Sequence, residues 1–168
     1  MVILGIDPGT ATTGYGLLKV NGDSTLHLME FDLIETEKNG SPEGRLHKIY
    51  REMGSLFTKY KPDIMAIEKI FFATNAKTAI RVGQAQGVML LSAATAGVPV
   101  VEYAPGTIKK VVSGDGRSDK RAMQKAVRQM LGPRVRSRAG GKTHFDNSAD
   151  ALAVALCHAS TIKKITLS

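Results

Sequence analysis

Three β-rich runs open the chain with little more than a turn between them, and after them helical and strand-like periodicities alternate. Few folds accept that order. Residues 2–6 (VILGI) are a short apolar run ended by Asp7-Pro8-Gly9, so a buried strand meets a turn. Residues 14–20 and 24–35 are two further β-rich runs around Asn21-Gly22-Asp23, which reads as a hairpin turn. Ser41-Pro42-Glu43 predicts a helix start, with Ser as cap and Pro in the first turn. Behind it Leu46, Ile49, Tyr50, Met53, Leu56, Phe57 and Tyr60 recur at helical spacing until Pro62 closes the helix. Asp63 to Phe72 predicts a strand, with Ile64, Ala66, Glu68 and Ile70 on one face and Met65, Ile67, Lys69 and Phe71 on the other. A long apolar helix from about Asn75 to Ala96 and a short strand at Val98–Tyr103 come next. The remaining helices are expected over about Gly106–Ser113, Ser118–Met130 and Asn147–Lys164, with an aperiodic basic loop from Gly132 to Lys142.

The order is therefore β-β-β-α-β-α-β-α, with extra helical material before the last helix. Three antiparallel strands followed by two βα crossovers give an α/β protein: a mixed five-stranded sheet flanked by helices on both faces. That is the architecture of the ribonuclease H-like fold. The chain has 168 residues, no internal repeat and no visible linker, so residues 1–168 are expected to form a single domain. Its most apolar stretch, Gly87 to Val101, is interrupted by Ser92, Thr95, Gly97 and Pro99 and is too short to span a bilayer. The opening residues lack the basic region and cleavage site of a signal peptide. The single cysteine, Cys157, reads as a small core residue, and a reducing cytoplasm is the expected setting.

The net charge of +8 is unevenly spread. From Thr107 to Lys142 there are eleven Lys or Arg against Asp115 and Asp119, a segment charge of +9; the other twelve basic and thirteen acidic residues leave −1. A solvated helix face would account for some of these cations. With the rest of the chain near neutral, a polyanion such as nucleic acid is the favoured partner.

Three carboxylates then ask for an explanation. Asp7 ends the first strand on the face of Ile3 and Gly5; taken alone it is a turn residue of Asp-Pro-Gly. Glu68 interrupts an apolar strand, DIMAIEKIF, that should be central in the sheet. A carboxylate withdrawn from water needs a cationic partner or a metal. Lys69 cannot be that partner, since it points to the opposite face. Asp150 lies near the start of the last helix on the same side as Asp146 and Asn147, where acids also favour the helix dipole. In a sheet of this order the first and fourth strands are neighbours and the last helix crosses them, so Asp7, Glu68 and Asp150 would converge. Oxygen ligands without His or Cys suit magnesium or manganese, and a pair of such ions serves phosphodiester hydrolysis. A lone Asp-Pro-Gly-Thr also suits the phosphate loop of sugar kinases and actin, but those proteins need two such domains.

The chain resembles the RuvC family of Holliday junction resolvases from Ile3 to His158. The resemblance rests on Gly5-Ile6-Asp7-Pro8-Gly9 with Thr13-Gly14-Tyr15-Gly16, then Ala66-Ile67-Glu68 followed by Phe71-Phe72-Ala73-Thr74-Asn75. Val82-Gly83-Gln84-Ala85-Gln86-Gly87 and the run from Asp150 to Cys157-His158 complete it. It implies a homodimer that binds four-way DNA junctions and nicks two opposed strands, depends on Mg2+ (two ions per subunit, Mn2+ substituting), and leaves 5′-phosphates. It also implies cooperation with the RuvA and RuvB branch-migration proteins. Asp7, Glu68 and Asp150 match three of the family's four metal positions. The fourth, usually Asp or His, is Asn147 here; Asp146 or His144 are the alternatives for completing the site. A junction-binding protein impaired in catalysis by Asn147 is thus a second reading, and a relative acting on RNA or linear duplex a third. Lys109 and Lys120 match family lysines near the scissile phosphates, Arg117 is a further candidate phosphate contact, and Phe71 matches an aromatic residue that stacks on an unpaired base. The helix from Thr78 to Ala96, apolar nearly all round, is expected to lie partly at the dimer interface.

Overall fold

The computed structural model of the chain describes residues 1–70, 76–132, 135 and 142–163, the side chains of 142–147 and 163 excepted. Strand β1 (Val2–Asp7) pairs antiparallel with β2 (Thr12–Val20), and β2 antiparallel with β3 (Leu26–Glu35). On the other side of β1, β4 (Ile64–Glu68) runs parallel to it, and β5 (Val100–Tyr103) parallel to β4. The order is β3-β2-β1-β4-β5, the mixed five-stranded sheet that the sequence predicts. Helices α1 (Pro42–Tyr60) and α2 (Ala76–Thr95) cover one face; α3 (Pro105–Ser113), α4 (Lys120–Leu131) and α5 (Lys142–Lys163) cover the other.

Strand alternation sorts the core into two halves. Leu4, Ile6, Leu17, Met65 and Ile67 pack against Ile49 and Met53 of α1 and Met89 of α2. Ile3, Leu18 and Ala66 pack against Leu152 and Leu156 of α5, Ile108 of α3 and Val127 of α4. Ile3, Leu4, Ile6, Met65 and Ile67 have no exposed surface, and each such side chain contributes roughly 1.5–3 kcal/mol. A polar contact ties α2 to β5, Gln86 Nε2 donating to Glu102 Oε1 at 2.7 Å.

The caps explain where elements start. The Ser41 hydroxyl accepts from Gly44 N at 3.2 Å, as the Ser-Pro-Glu signal predicts, and Lys61 adopts φ 46° after the last turn, before Pro62. Three expectations need correction. Helix α4 begins at Lys120, not Ser118: Asp119 is the cap, accepting from Ala122 N at 2.8 Å, while Ser118 Oγ is engaged by Ser113 Oγ at 2.7 Å. Strand β4 ends at Glu68, short of the expected Phe72, and residues 71–75 lie outside the described set. Helix α5 starts at Lys142, five residues before Asn147. Residues 142–146 contain neither Gly nor Pro to stop a helix; their lack of apolar periodicity hid it.

Where α5 meets the sheet, the packing is backbone against backbone. A Cβ at Gly5 of β1 would lie 2.3 Å from Ala151 O and 2.7 Å from Ala155 N of α5. At Gly16, the β2 partner of Gly5, it would lie 2.6 Å from Leu152 Cδ2. Two glycines side by side thus form the trough in which α5 lies. Gly5→Ala is expected to destabilise the protein by at least ~3 kcal/mol in urea denaturation, because the obstructing atoms are backbone and cannot rotate away. Gly54→Ala, in α1 with open space around it, should instead stabilise by about 0.5–1 kcal/mol.

Candidate active site

Asp7 and Glu68 are the last residues of adjacent parallel strands, just past the paired Ile6 and Ile67. Both point to the α5 side of the sheet. Asp150 immediately precedes Ala151, the residue whose carbonyl rests on Gly5. The glycine trough therefore delivers Asp150 to the carboxyl ends of β1 and β4, as expected from the strand order. Since α5 begins at Lys142, Asp150 is more than two turns inside it, beyond the reach of the terminal dipole. That removes the ordinary explanation for an acid at this position. The turn after Asp7 is braced by Thr13, fully buried, whose hydroxyl donates to Gly9 O at 2.7 Å.

Electrostatics at this corner are strained in one direction. Burial, then the charges of Asp150 and Glu68, push the Asp7 carboxyl from 3.8 up to about 7, with Lys120 opposing. Glu68 is also raised, chiefly by burial and then by Asp150, while Lys109 and a hydrogen bond from Asp7 pull the other way. Lys120 Nζ lies 3.1 Å from Asp150 Oδ2, with the two side chains 50% and 33% exposed, so screening leaves this pair little weight in stability. Glu68, Ile108, Lys109, Lys120, Met123 and Asp150 line an open cleft of about 230 Å³. A larger cavity of about 690 Å³ lies between the C-terminal ends of α1 and α2, far from these acids; size alone does not pick the site.

Two desolvated carboxylates and the partly exposed Asp150 that repels both, with no soft ligand among them, are a donor set for a hard divalent cation. Among the described residues no three His, Cys, Asp or Glu side chains stand close enough together to hold a metal ion, and Asp150 is paired with Lys120. The chemistry of the three donors suits a hard cation, which would compete with Lys120 for Asp150.

The remaining candidates fall less neatly. Lys109 and Lys120 both line the cleft. Arg117 does not: it is exposed in the α3–α4 loop, its N–H bonded to Asp115 Oδ1 at 2.9 Å. Phe71 lies outside the described residues, and of Asn147, Asp146 and His144 only the helical backbone is described. Cys157 is buried with its thiol pushed up to about 11 by desolvation, the inert core residue expected. One tie escaped the sequence reading. Tyr103, the β5 partner of Glu68, shares a 2.8 Å hydrogen bond with His158 Nδ1 of α5, and burial lowers the pKa of that imidazole. A histidine inside an apolar helical run was its only trace in sequence.

The RuvC family model, crossover junction endodeoxyribonuclease RuvC, matches residues 3–158. The chain belongs to the RuvC family. It is 46% identical over 160 residues to the crossover junction endodeoxyribonuclease RuvC of Moorella thermoacetica, covering 95% of this chain and 92% of that one. The corresponding protein of Syntrophomonas wolfei is 44% identical over 158 residues, covering 94% and 88%. Among solved structures, Thermus thermophilus RuvC in complex with Holliday junction substrate aligns with a TM-score of 0.85 at 32% identity, covering 98% of this chain and 96% of the other. The yeast mitochondrial Holliday junction resolvase, at 18% identity and a TM-score of 0.71, shares the fold. The fold is the ribonuclease H-like one.

A folded-state pKa above the unfolded value binds protons more tightly, so the stability Asp7 contributes is present below about 4 and lost as pH rises through about 7. Asp7→Asn removes that loss. In chelator-treated protein the stability advantage of Asp7→Asn over the parent should grow between pH 5 and pH 8 in urea melts. An advantage independent of pH would refute the burial-driven shift.

Proposed function

We propose that this chain resolves four-way DNA junctions, nicking two opposed strands symmetrically as a homodimer and leaving 5′-phosphates. The observation that carries this is the meeting of Asp7, Glu68 and Asp150 beside Lys109 and Lys120, at the carboxyl ends of adjacent strands, in a chain of the RuvC family. The whole of residues 1–168 acts as one nuclease domain. The structure of the Thermus thermophilus relative with a Holliday junction supports the choice of substrate.

Asp7, Glu68 and Asp150 hold Mg2+, two ions per subunit, with Mn2+ able to substitute; position 147, or Asp146 beside it, completes the set. When bound, such ions activate water and stabilise the charge developing on the scissile phosphate. The chain's own residues do the rest. Asp7, its carboxyl pushed up to about 7, would have to be ionised to serve as a metal ligand. Lys120, released from Asp150, and Lys109 turn to the phosphates flanking the cut. Arg117 contacts a phosphate farther out, and Phe71 stacks on a base at the crossover.

For the dimer, α2 offers a lengthwise stripe: Ile80 and Leu91 are 63% and 59% exposed, with open space at Gly83 and Gly87 between them. Apolar side chains flanking side-chain-free backbone suit close contact with a second copy across a two-fold axis, which matches the symmetry of the junction. RuvA and RuvB are the expected partners and the cytoplasm the expected compartment. Among the described residues no helix is long and apolar enough to cross a membrane.

A labelled synthetic junction incubated with and without magnesium tests the reading: junction but not linear duplex should be cut. Binding without cutting would favour the catalytically impaired alternative, and cutting of linear duplex or RNA a relative with another substrate. Glu68→Gln should abolish cutting with junction affinity in calcium unchanged, and retained cutting would overturn the metal assignment. Lys120→Ala should lower the slope of log affinity against log salt by about one.

Asn147→Asp restores the negative charge of the usual family residue one turn before Asp150. It is expected to raise the cutting rate at low magnesium with little change in junction affinity. An unaltered rate across a magnesium titration, together with inactivity of Asp146→Asn, would instead make Asp146 the fourth ligand.

A further inference from the structure

A second concentration of positive charge lies on the other face of the sheet, outside the basic segment of residues 107–142. Arg45 of α1 and Lys77 and Arg81 of α2 line a pocket of about 390 Å³ together with Thr10 and Gln84. Among the described residues no acidic side chain lines it. Three like charges lining one concavity give it a positive field that favours an anion. The first turns of α1 and α2 both border the pocket, through Pro42 and Lys77, so the positive ends of two helix dipoles add to the same field. Arg45 gives one guanidinium N–H to Lys38 O, while its buried Nε has no hydrogen-bond partner among the described residues. Lys77 and Arg81 are exposed, one turn apart on the same side of α2.

Location decides which anion. Thr10 is three residues after Asp7, a span of at most about 11 Å of chain. The pocket thus stands at the same end of the sheet as the three carboxylates, with the Asp7–Thr10 turn as the ridge between them. Lys109 and Lys120 flank that ridge on the α5 side, and Arg45, Lys77 and Arg81 on the α1–α2 side. A strand seated at the carboxylates can cross the sheet end and meet cations again within a few nucleotides. The adjacent exposed stripe of α2 puts the pocket beside the proposed two-fold axis, where arms of the junction part.

We infer that Arg45, Lys77 and Arg81 form a second phosphate seat, which holds the backbone of the junction DNA after it crosses the Asp7–Thr10 ridge. This rests on the junction-resolving reading above and adds to it a contact surface on the opposite face. A free anion would be held by the same chemistry, but a pocket open toward the cleavage site and flanked by a proposed dimer stripe fits a continuous polyanion better.

The test is made in the Glu68→Gln protein, with junction binding followed in calcium over a salt series. Adding Lys77→Ala and Arg81→Ala together should weaken binding at least tenfold and lower the salt slope by about two, one for each phosphate left without its cation. The control is Lys19→Ala with Lys59→Ala in the same parent. It removes equal charge far from the pocket: Lys19 pairs with Val2 at the opposite end of β1, and Lys59 lies in the last turn of α1. That control should bind like the parent. Matching thermal melts of the three proteins check that each is folded. If the pocket variant keeps the parent's slope, or shifts no more than the control, the second seat is refuted while the resolvase reading stands. If the parent itself fails to bind a four-way junction, both readings fall.

Discussion

The approach of α5 to β1 sets the position of nearly everything that matters here. Helices normally stand off a sheet by the length of the intervening side chains. At Gly5 and Gly16 there are none, and the helix backbone drops into the gap until Ala151 O and Ala155 N meet the strand. The apolar run from Ala151 to Cys157, with Leu152 and Leu156 fully buried, holds it there. Asp150 is carried along at the edge of that seam. Since Asp7 and Glu68 end the two strands beneath, one close packing event assembles three carboxylates from distant parts of the chain.

Assembly has an electrostatic cost, visible in the upward shifts of Asp7 and Glu68. In this structure the Lys120 ammonium against Asp150 offsets part of that repulsion. It is a weak substitute for a metal ion, because the lysine pair is open to water. In the proposed reading a divalent ion would answer all three carboxylates at once, and the free energy of their repulsion would become cation affinity. In that reading Lys120, paired here with Asp150, would exchange the carboxylate for a phosphate when DNA and metal are bound.

The polar ties on either side of the sheet keep this corner in register. Tyr103 and His158 join β5 to α5 beside Glu68, and Gln86 and Glu102 join α2 to the same strand from the opposite face. Two neighbouring residues of a short strand thereby anchor one helix on each face. The cations follow the same two-sided plan, with Lys109 and Lys120 above the sheet end and Arg45, Lys77 and Arg81 below it.

Much of this was legible in the amino-acid order. Alternation in VILGI and DIMAIEKIF placed Asp7 and Glu68 on one face of adjacent strands, and turn and helix signals such as Asn21-Gly22-Asp23 and Ser41-Pro42 set the element order, because these are local effects of backbone sterics and pleating. The charge excess between residues 107 and 142 was equally plain, since it is contiguous in sequence. What the order did not hold is whatever depends on distances between remote segments. The true start of α5 at Lys142 was hidden because those residues carry no regular apolar stripe. The trough of Gly5 and Gly16 looked like two unrelated glycines until strand register set them side by side under α5. The gathering of Arg45, Lys77 and Arg81 was invisible to a count along the chain, for it exists only where two helices begin at the same corner of the sheet. Local sterics write themselves into sequence; the raised pKa of Asp7 and the second basic pocket arise from through-space fields, which only the packed chain decides.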